Sequence, residues 1–190
     1  MNATTTSPVR HLDRQELEAG LEEIRRAPKD DGVLALIVRR PAVGERELLD
    51  EGVLDPTVGL VGDTWNVRGS RSTPDGSSHP DMQLNIMNVR STALVAQDRG
   101  RWALAGDQLY VDLDLSGENL PPGTRLRLGG AVIEVTPIPH TGCAKFVSRF
   151  GAEAMKFVNS PVGRELNLRG ICAKVVEPGT LRVGDRVKKV

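Results

Sequence analysis

The residues best suited to chemistry lie in one short stretch, Pro139-His-Thr-Gly-Cys143-Ala-Lys-Phe146. Cys143 is flanked by a histidine three residues before it and a lysine two residues after it. Gly142 removes a side chain next to the sulfur, which leaves room for a ligand to approach the backbone. A thiol in such surroundings can serve as a nucleophile or a soft metal ligand. The same eight residues also fit a small apolar Cys that fills a gap at the end of a strand. The second thiol, Cys172, alternates within a strand-like run and reads as a core residue.

Other polar groups are spread along the chain. Asp63 closes a glycine-rich bend, Val58-Gly-Leu-Val-Gly-Asp63, where it either orients a base or holds the turn. Glu118 and Asn119, in Ser116-Gly-Glu-Asn-Leu120, either hydrogen-bond a ligand or form a turn with a left-handed Asn. Arg90 and Arg164 are candidates for bidentate anion binding or for surface ion pairs. His140 and Cys143 alone are too few for a structural metal site. No phosphate loop, GxSxG elbow or HExxH run is present, and a zinc-dependent hydrolase lacks ligands.

These residues need a scaffold. With 190 residues the chain can bury a full core as one domain. Basic and acidic side chains balance at 25 each, and aromatics are 3%, which argues against nucleic acid. The apolar run Val33–Val38 is far short of the roughly 20 residues that span a bilayer. No export signal is visible, so the two cysteines are expected to be reduced thiols of a cytoplasmic protein.

Residues 1–11 read as a disordered start. Residues 12–190 read as one domain, a leading helix over 12–31 followed by a barrel over 32–190. Asp13 and Glu16 form a capping box, with Leu12 and Leu17 as a staple. Gly32 to Arg40 reads as a buried strand, and Glu45 to Glu51 as a short helix or turn. Residues 66–81, including Arg68, Arg71 and His79, read as a long loop. Gln83 to Asn88 is a strand, and Ser91 caps a short helix.

Leu109 to Leu115 alternates strictly, which predicts one face in the core and one in water. Leu126 to Val135 is a hairpin, Phe146 to Asn159 one helix, and Ser160-Pro161 the start of another. Strands return at Ile171–Val176 and Leu181–Val190. Short strands with turns at about 8–12-residue spacing predict a mainly β, α+β protein, a barrel with peripheral helices.

Taken in order, Gly59-Leu-Val-Gly-Asp63, Ser116-Gly-Glu-Asn-Leu120 and Pro139-His-Thr-Gly-Cys143-Ala-Lys-Phe resemble the MOSC family, domains related to the C-terminal part of molybdenum cofactor sulfurases. The resemblance runs from about Gly32 onward and implies a barrel like that of a pyruvate kinase domain. It also implies that Cys143 is the catalytic residue, as molybdenum ligand of the pterin cofactor (molybdopterin) or as persulfide carrier. Asp63, Glu118 and Asn119 match motif positions that line or hold the cleft. His140, Thr141, Lys145, Arg90 and Arg164 are then expected around the cofactor and its phosphate.

The reductase branch of that family carries a His-Gly-Gly-Pro-Asp-Arg run, whereas this chain has Ser78-His79-Pro80-Asp81. There is no room for a pyridoxal-phosphate or iron–sulfur domain, so a sulfur or electron donor would be a separate protein. The two classes carried forward are a cofactor-dependent oxidoreductase or sulfur-transfer protein, and a barrel that binds a small ligand without chemistry.

Overall fold

The computed structural model describes residues 9–70 and 72–190. Asp13 caps α1 (Arg14–Ala19) through the expected box with Glu16, and α2 (Leu21–Arg25) follows after a break at Gly20. Four strands come next, β1 (Gly32–Arg39), β2 (Glu47–Leu49), β3 (Glu51–Asp55) and β4 (Gly59–Leu60), then α3 (Trp65–Arg68). Beyond a loop and a 3-10 turn over Pro80–Met82 lie β5 (Leu84–Asn88), α4 (Val89–Ala96), a 3-10 segment over Arg99–Ala105, and β6 (Leu109–Asp112). The hairpin β7 (Arg125–Leu128) and β8 (Ala131–Pro139) leads into α5 (Ala144–Phe150), α6 (Ala152–Asn159) and α7 (Pro161–Glu165). The chain returns through β9 (Ile171–Glu177), β10 (Gly179–Arg182) and β11 (Arg186–Lys189).

Among the described residues, seven strands close a barrel in the order β1-β11-β7-β8-β9-β5-β6 and back to β1. Only β5 and β6 run parallel, because α4 carries the chain over between them. The closing seam is short, with Gly32 opposite Val187 and Val33 opposite Arg186. β2 extends the sheet from β1, and β10, β3 and β4 form a second small sheet.

Two apolar cores follow from the alternation of side chains. Leu109, Val111, Leu113 and Leu115 point into the barrel with Leu34, Ile86 and Ile133. Each such fully buried aliphatic side chain contributes about 1.5–3 kcal/mol. The second core lies between the barrel wall and the helices, built on Leu17, Met87, Tyr110, Phe146, Phe150 and Phe157.

The second core corrects one expectation. The outer face of the Leu109–Leu115 run is not all in water, since helices cover Tyr110 completely. Asp112 and Asp114 alone stay partly exposed.

Three further differences have local causes. Glu45 to Glu51 forms no helix, because its residues pair as strands with β1 and β10. The predicted helix over 146–159 is two helices, broken at Gly151 (φ +89°), where an added Cβ would meet the His11 ring at 2.8 Å. Asn88, not Ser91, caps α4, its side chain accepting from the Arg90 and Ser91 N–H groups. Of the leading segment 1–11, residues 1–8 lie outside the described residues, and Arg10 is bonded to Glu16. Arg71 of the 66–81 loop also lies outside them.

Candidate functional site

β8 delivers the cysteine stretch. Its pairing to β9 shifts between Val135 and Pro139, and the chain then leaves the sheet. Cys143 sits at the residue before α5, in extended conformation, with its carbonyl accepting from Phe146 N–H at 2.9 Å and Val147 N–H at 3.1 Å. Its thiol is exposed.

Gly142 serves packing more than ligand access. Its N–H donates to Asn159 Oδ1, and a Cβ there would lie 3.2 Å from Met155 and Val158 of α6. Cys172 is fully buried on β9, and burial pushes its thiol up to about 12. One thiol is therefore presented and the other is inert.

Cys143 opens onto a cleft of about 260 Å³, slightly below the ~300 Å³ at which typical small-molecule pockets begin. Its floor holds two buried ion pairs. Arg40 Nε and Nη2 donate to Asp63 at 2.7 Å each, and Nη1 donates to the Gly106 carbonyl at 2.9 Å. Arg169 Nη1 donates to both oxygens of Asp107 at 3.0 and 2.8 Å, and its guanidinium lies over the Phe146 ring. Burial pushes Asp107 up, against the pull of Arg169.

His140 lines the same cleft, with Nδ1 3.4 Å from Asp107 Oδ1 but in no hydrogen bond. Burial, with Arg169 and Arg40 nearby, holds it well below the usual imidazole range, so it is neutral at pH 7.

The rim of the cleft differs from its floor. Arg46, Arg68, Lys145 and Arg149 line it, and among the described residues none of them has a carboxylate within ion-pair distance. Backbone carbonyls aim two of them. Arg149 Nη1 donates to Leu104 O at 2.6 Å, and Arg46 Nε to Ala103 O at 3.3 Å. Burial and the nearby cations Arg149 and Arg40 push Arg46 below the ordinary guanidinium range.

The sequence-predicted site residues are divided among several places. Cys143, His140 and Lys145 share the cleft, and Asp63 lies under its floor, where it also accepts from Trp65 N–H and so holds the bend. Thr141 and Arg164 line a separate cavity of about 130 Å³ that His140 also borders. Arg90 is on another face, paired with Asp112 and Glu23. Glu118 borders a third cavity, and Asn119 ties a turn to Lys29 and Lys189 with no positive φ.

Sequence reasoning missed Arg40, Arg46, Arg149, Arg169 and Asp107, which lie far apart along the chain and share no motif. Arg40 stood out only as the charged residue before the proline that closes the β1 run.

Among the described residues no three His, Cys, Asp or Glu side chains cluster as metal ligands. A bare ion would not be held here. A metal that arrives with its own organic ligand needs only one protein donor, and an exposed thiol in a cationic cleft fits that requirement.

The MOSC domain family matches residues 73–188, and the chain belongs to it. That family is associated with molybdenum-cofactor-related ligands. No curated protein matches the sequence significantly. Among solved structures, the YuaD protein of Bacillus subtilis is 17% identical with a TM-score of 0.58, covering 83% of this chain and 94% of that one. YiiM from Escherichia coli is 22% identical with a TM-score of 0.53, covering 83% of this chain and 69% of that one. A structure titled only as a hypothetical protein is 20% identical with a TM-score of 0.58, covering 85% and 70%. At these identities the likeness is one of fold. No helix among the described residues is long and apolar enough to cross a membrane.

Proposed function

We propose that this MOSC-domain protein works through Cys143, as the thiolate ligand of molybdenum in a pterin cofactor or as the carrier of a persulfide sulfur. The observation that carries the reading is an exposed thiol on the wall of a cleft whose rim is cationic. When bound, the molybdenum centre would supply oxidation–reduction chemistry. The chain's own part is to present the sulfur, to attract anionic groups with Lys145 and the rim arginines, and to offer a neutral imidazole at His140. Thr141 and Arg164 would support the adjacent wall. Asp63 would act through Arg40, by fixing the floor. An exposed thiol suits a reducing compartment such as the cytoplasm. A separate protein would donate electrons or sulfur.

The test is elemental analysis for molybdenum and pterin fluorescence on protein from a cofactor-competent host, beside Cys143→Ser. Stoichiometric molybdenum that disappears in the variant supports ligation. Without metal, mass spectrometry should find one added sulfur on Cys143 after exposure to a donor. If neither occurs, and ligand binding is unchanged in Cys143→Ser, the protein is a binding barrel without chemistry.

A further inference from the structure

The cleft divides its cations into two sets, and the division says something about what meets Cys143. On the floor, Arg40 and Arg169 are each neutralised by an aspartate. On the rim, Arg46, Arg68, Lys145 and Arg149 carry four formal positive charges with no carboxylate partner among the described residues. Two of the rim groups converge. A Cβ placed on Gly106 would lie 3.6 Å from Arg149 Nη1 and 3.7 Å from Arg46 Nη2. Holding like charges together in a partly buried site is unfavourable unless an anion joins them.

Arg169 adds an independent sign. It is 6% exposed, lines the cleft, and its Nε–H has no acceptor in the chain. A buried donor without an acceptor is costly and is commonly satisfied by a ligand or water.

The cofactor's phosphate would use part of this field. A phosphate monoester carries about 1.5–2 negative charges at neutral pH, roughly half of the rim's formal charge. We infer that the reactant brought to Cys143 is itself an anion, a small molecule bearing a carboxylate, sulfonate or phosphate group, held at Arg46, Arg68 and Arg149. The inference rests on the reading that Cys143 is the reacting thiol, and it adds the substrate class. A cationic cleft with low-dielectric walls concentrates anions and raises their rate of arrival.

The test compares two alkylating reagents of like size, anionic iodoacetate and neutral iodoacetamide, on the full-length protein. Cys172 is buried and serves as the silent thiol. The expected result is an iodoacetate-to-iodoacetamide rate ratio at Cys143 about tenfold above that of free cysteine at low salt. It should fall toward the free-cysteine ratio in Arg46→Ala, Arg68→Ala and Arg149→Ala, and at about 1 M salt, where screening is complete within about 3 Å. Arg125→Ala, on β7, where the arginine is paired with Glu134 and does not line the cleft, should leave it unchanged.

Because each variant is read as a ratio, a modest loss of folded protein does not imitate the effect. A ratio equal to that of free cysteine, or one indifferent to the rim arginines, overturns the inference and leaves the proposed role of Cys143 standing. A Cys143 that reacts with neither reagent overturns both.

Discussion

The arginines of the floor and those of the rim line one cleft and differ in almost every other respect. Arg40 and Arg169 are buried, each holds both oxygens of an aspartate (Arg40 through two nitrogens, Arg169 through Nη1 alone), and both reach backbone carbonyls as well. Arg68 and Lys145 are exposed, Arg46 and Arg149 half-buried, and among the described residues all four lack a carboxylate within ion-pair distance. A buried arginine must be paired, because the desolvation penalty would otherwise exceed any gain. An exposed one can be left single at little cost in stability. The floor is thus architecture that holds the end of β1, the Asp63 bend and β9's approach together, and the rim is surface that carries the charge on which the proposed anion would dock.

The comparison breaks most readily at the floor. Asp107→Ala leaves Arg169 buried and alone, and urea unfolding should report a loss of about 3–5 kcal/mol. Asp63→Ala should behave alike through Arg40. A loss under about 1 kcal/mol in both would mean that the pairs do not hold the floor. Replacing a whole pair, as in Asp107→Leu with Arg169→Met, sharpens the point, because no charge is stranded. That double variant should recover at least half of the single-variant loss.

His140 stands beside the Asp107 pair and gives a pH-dependent signature. Its folded-state pKa is depressed below the ordinary value of about 6.5, so the unfolded chain binds more protons in the window beneath that value. The stability that depends on His140 therefore rises with pH there and falls as pH drops below about 6.5, by up to ~1.4 kcal/mol per pH unit, whereas Asp107, pushed up by burial, contributes with the opposite sign. Urea titrations between pH 5 and pH 7 should show this slope, roughly, and His140→Gln should flatten it.

The smallest stability effect belongs to the rim. Arg46→Ala and Arg68→Ala should change unfolding free energy by no more than about 0.5 kcal/mol, while the reagent preference at Cys143 collapses. A rim variant that destabilises like Asp107→Ala would erase the distinction.

Local signals in the sequence were faithful where local physics decides. The capping box at Asp13, the Ser160-Pro161 helix start and the β7–β8 hairpin need only a few neighbouring residues to be recognised. The barrel class followed from the spacing of short strands, and the three matched motifs pointed to the family. What failed was set at long range. Helical spacing runs on through Gly151, and only the approach of His11 and the positive φ mark the break. Arg90 pairs with Asp112, the polar position of the strand whose alternation was so clear. The cationic cleft draws its charges from the connections after β1 and before β9, and from α3 and α5. No spacing rule could assemble it in advance.

One feature of the barrel bears on how the protein is made. The seam between β1 and β11 joins residues near Gly32 to residues near Val187, so the first barrel strand to leave the ribosome meets its final neighbour only after β2 to β10 have been made. Until then β1 is an edge strand, open to pairing with other nascent chains. Its early antiparallel pairing with β2, of which Ile37 opposite Leu49 is one step, covers the far half of one edge during that wait. The near half of that edge, Gly32 and Val33, has no such early cover and depends on β11, while β6 covers the opposite edge. β11 therefore acts as a latch, and its arrival closes the edge of β1 that would otherwise stay open to misassembly.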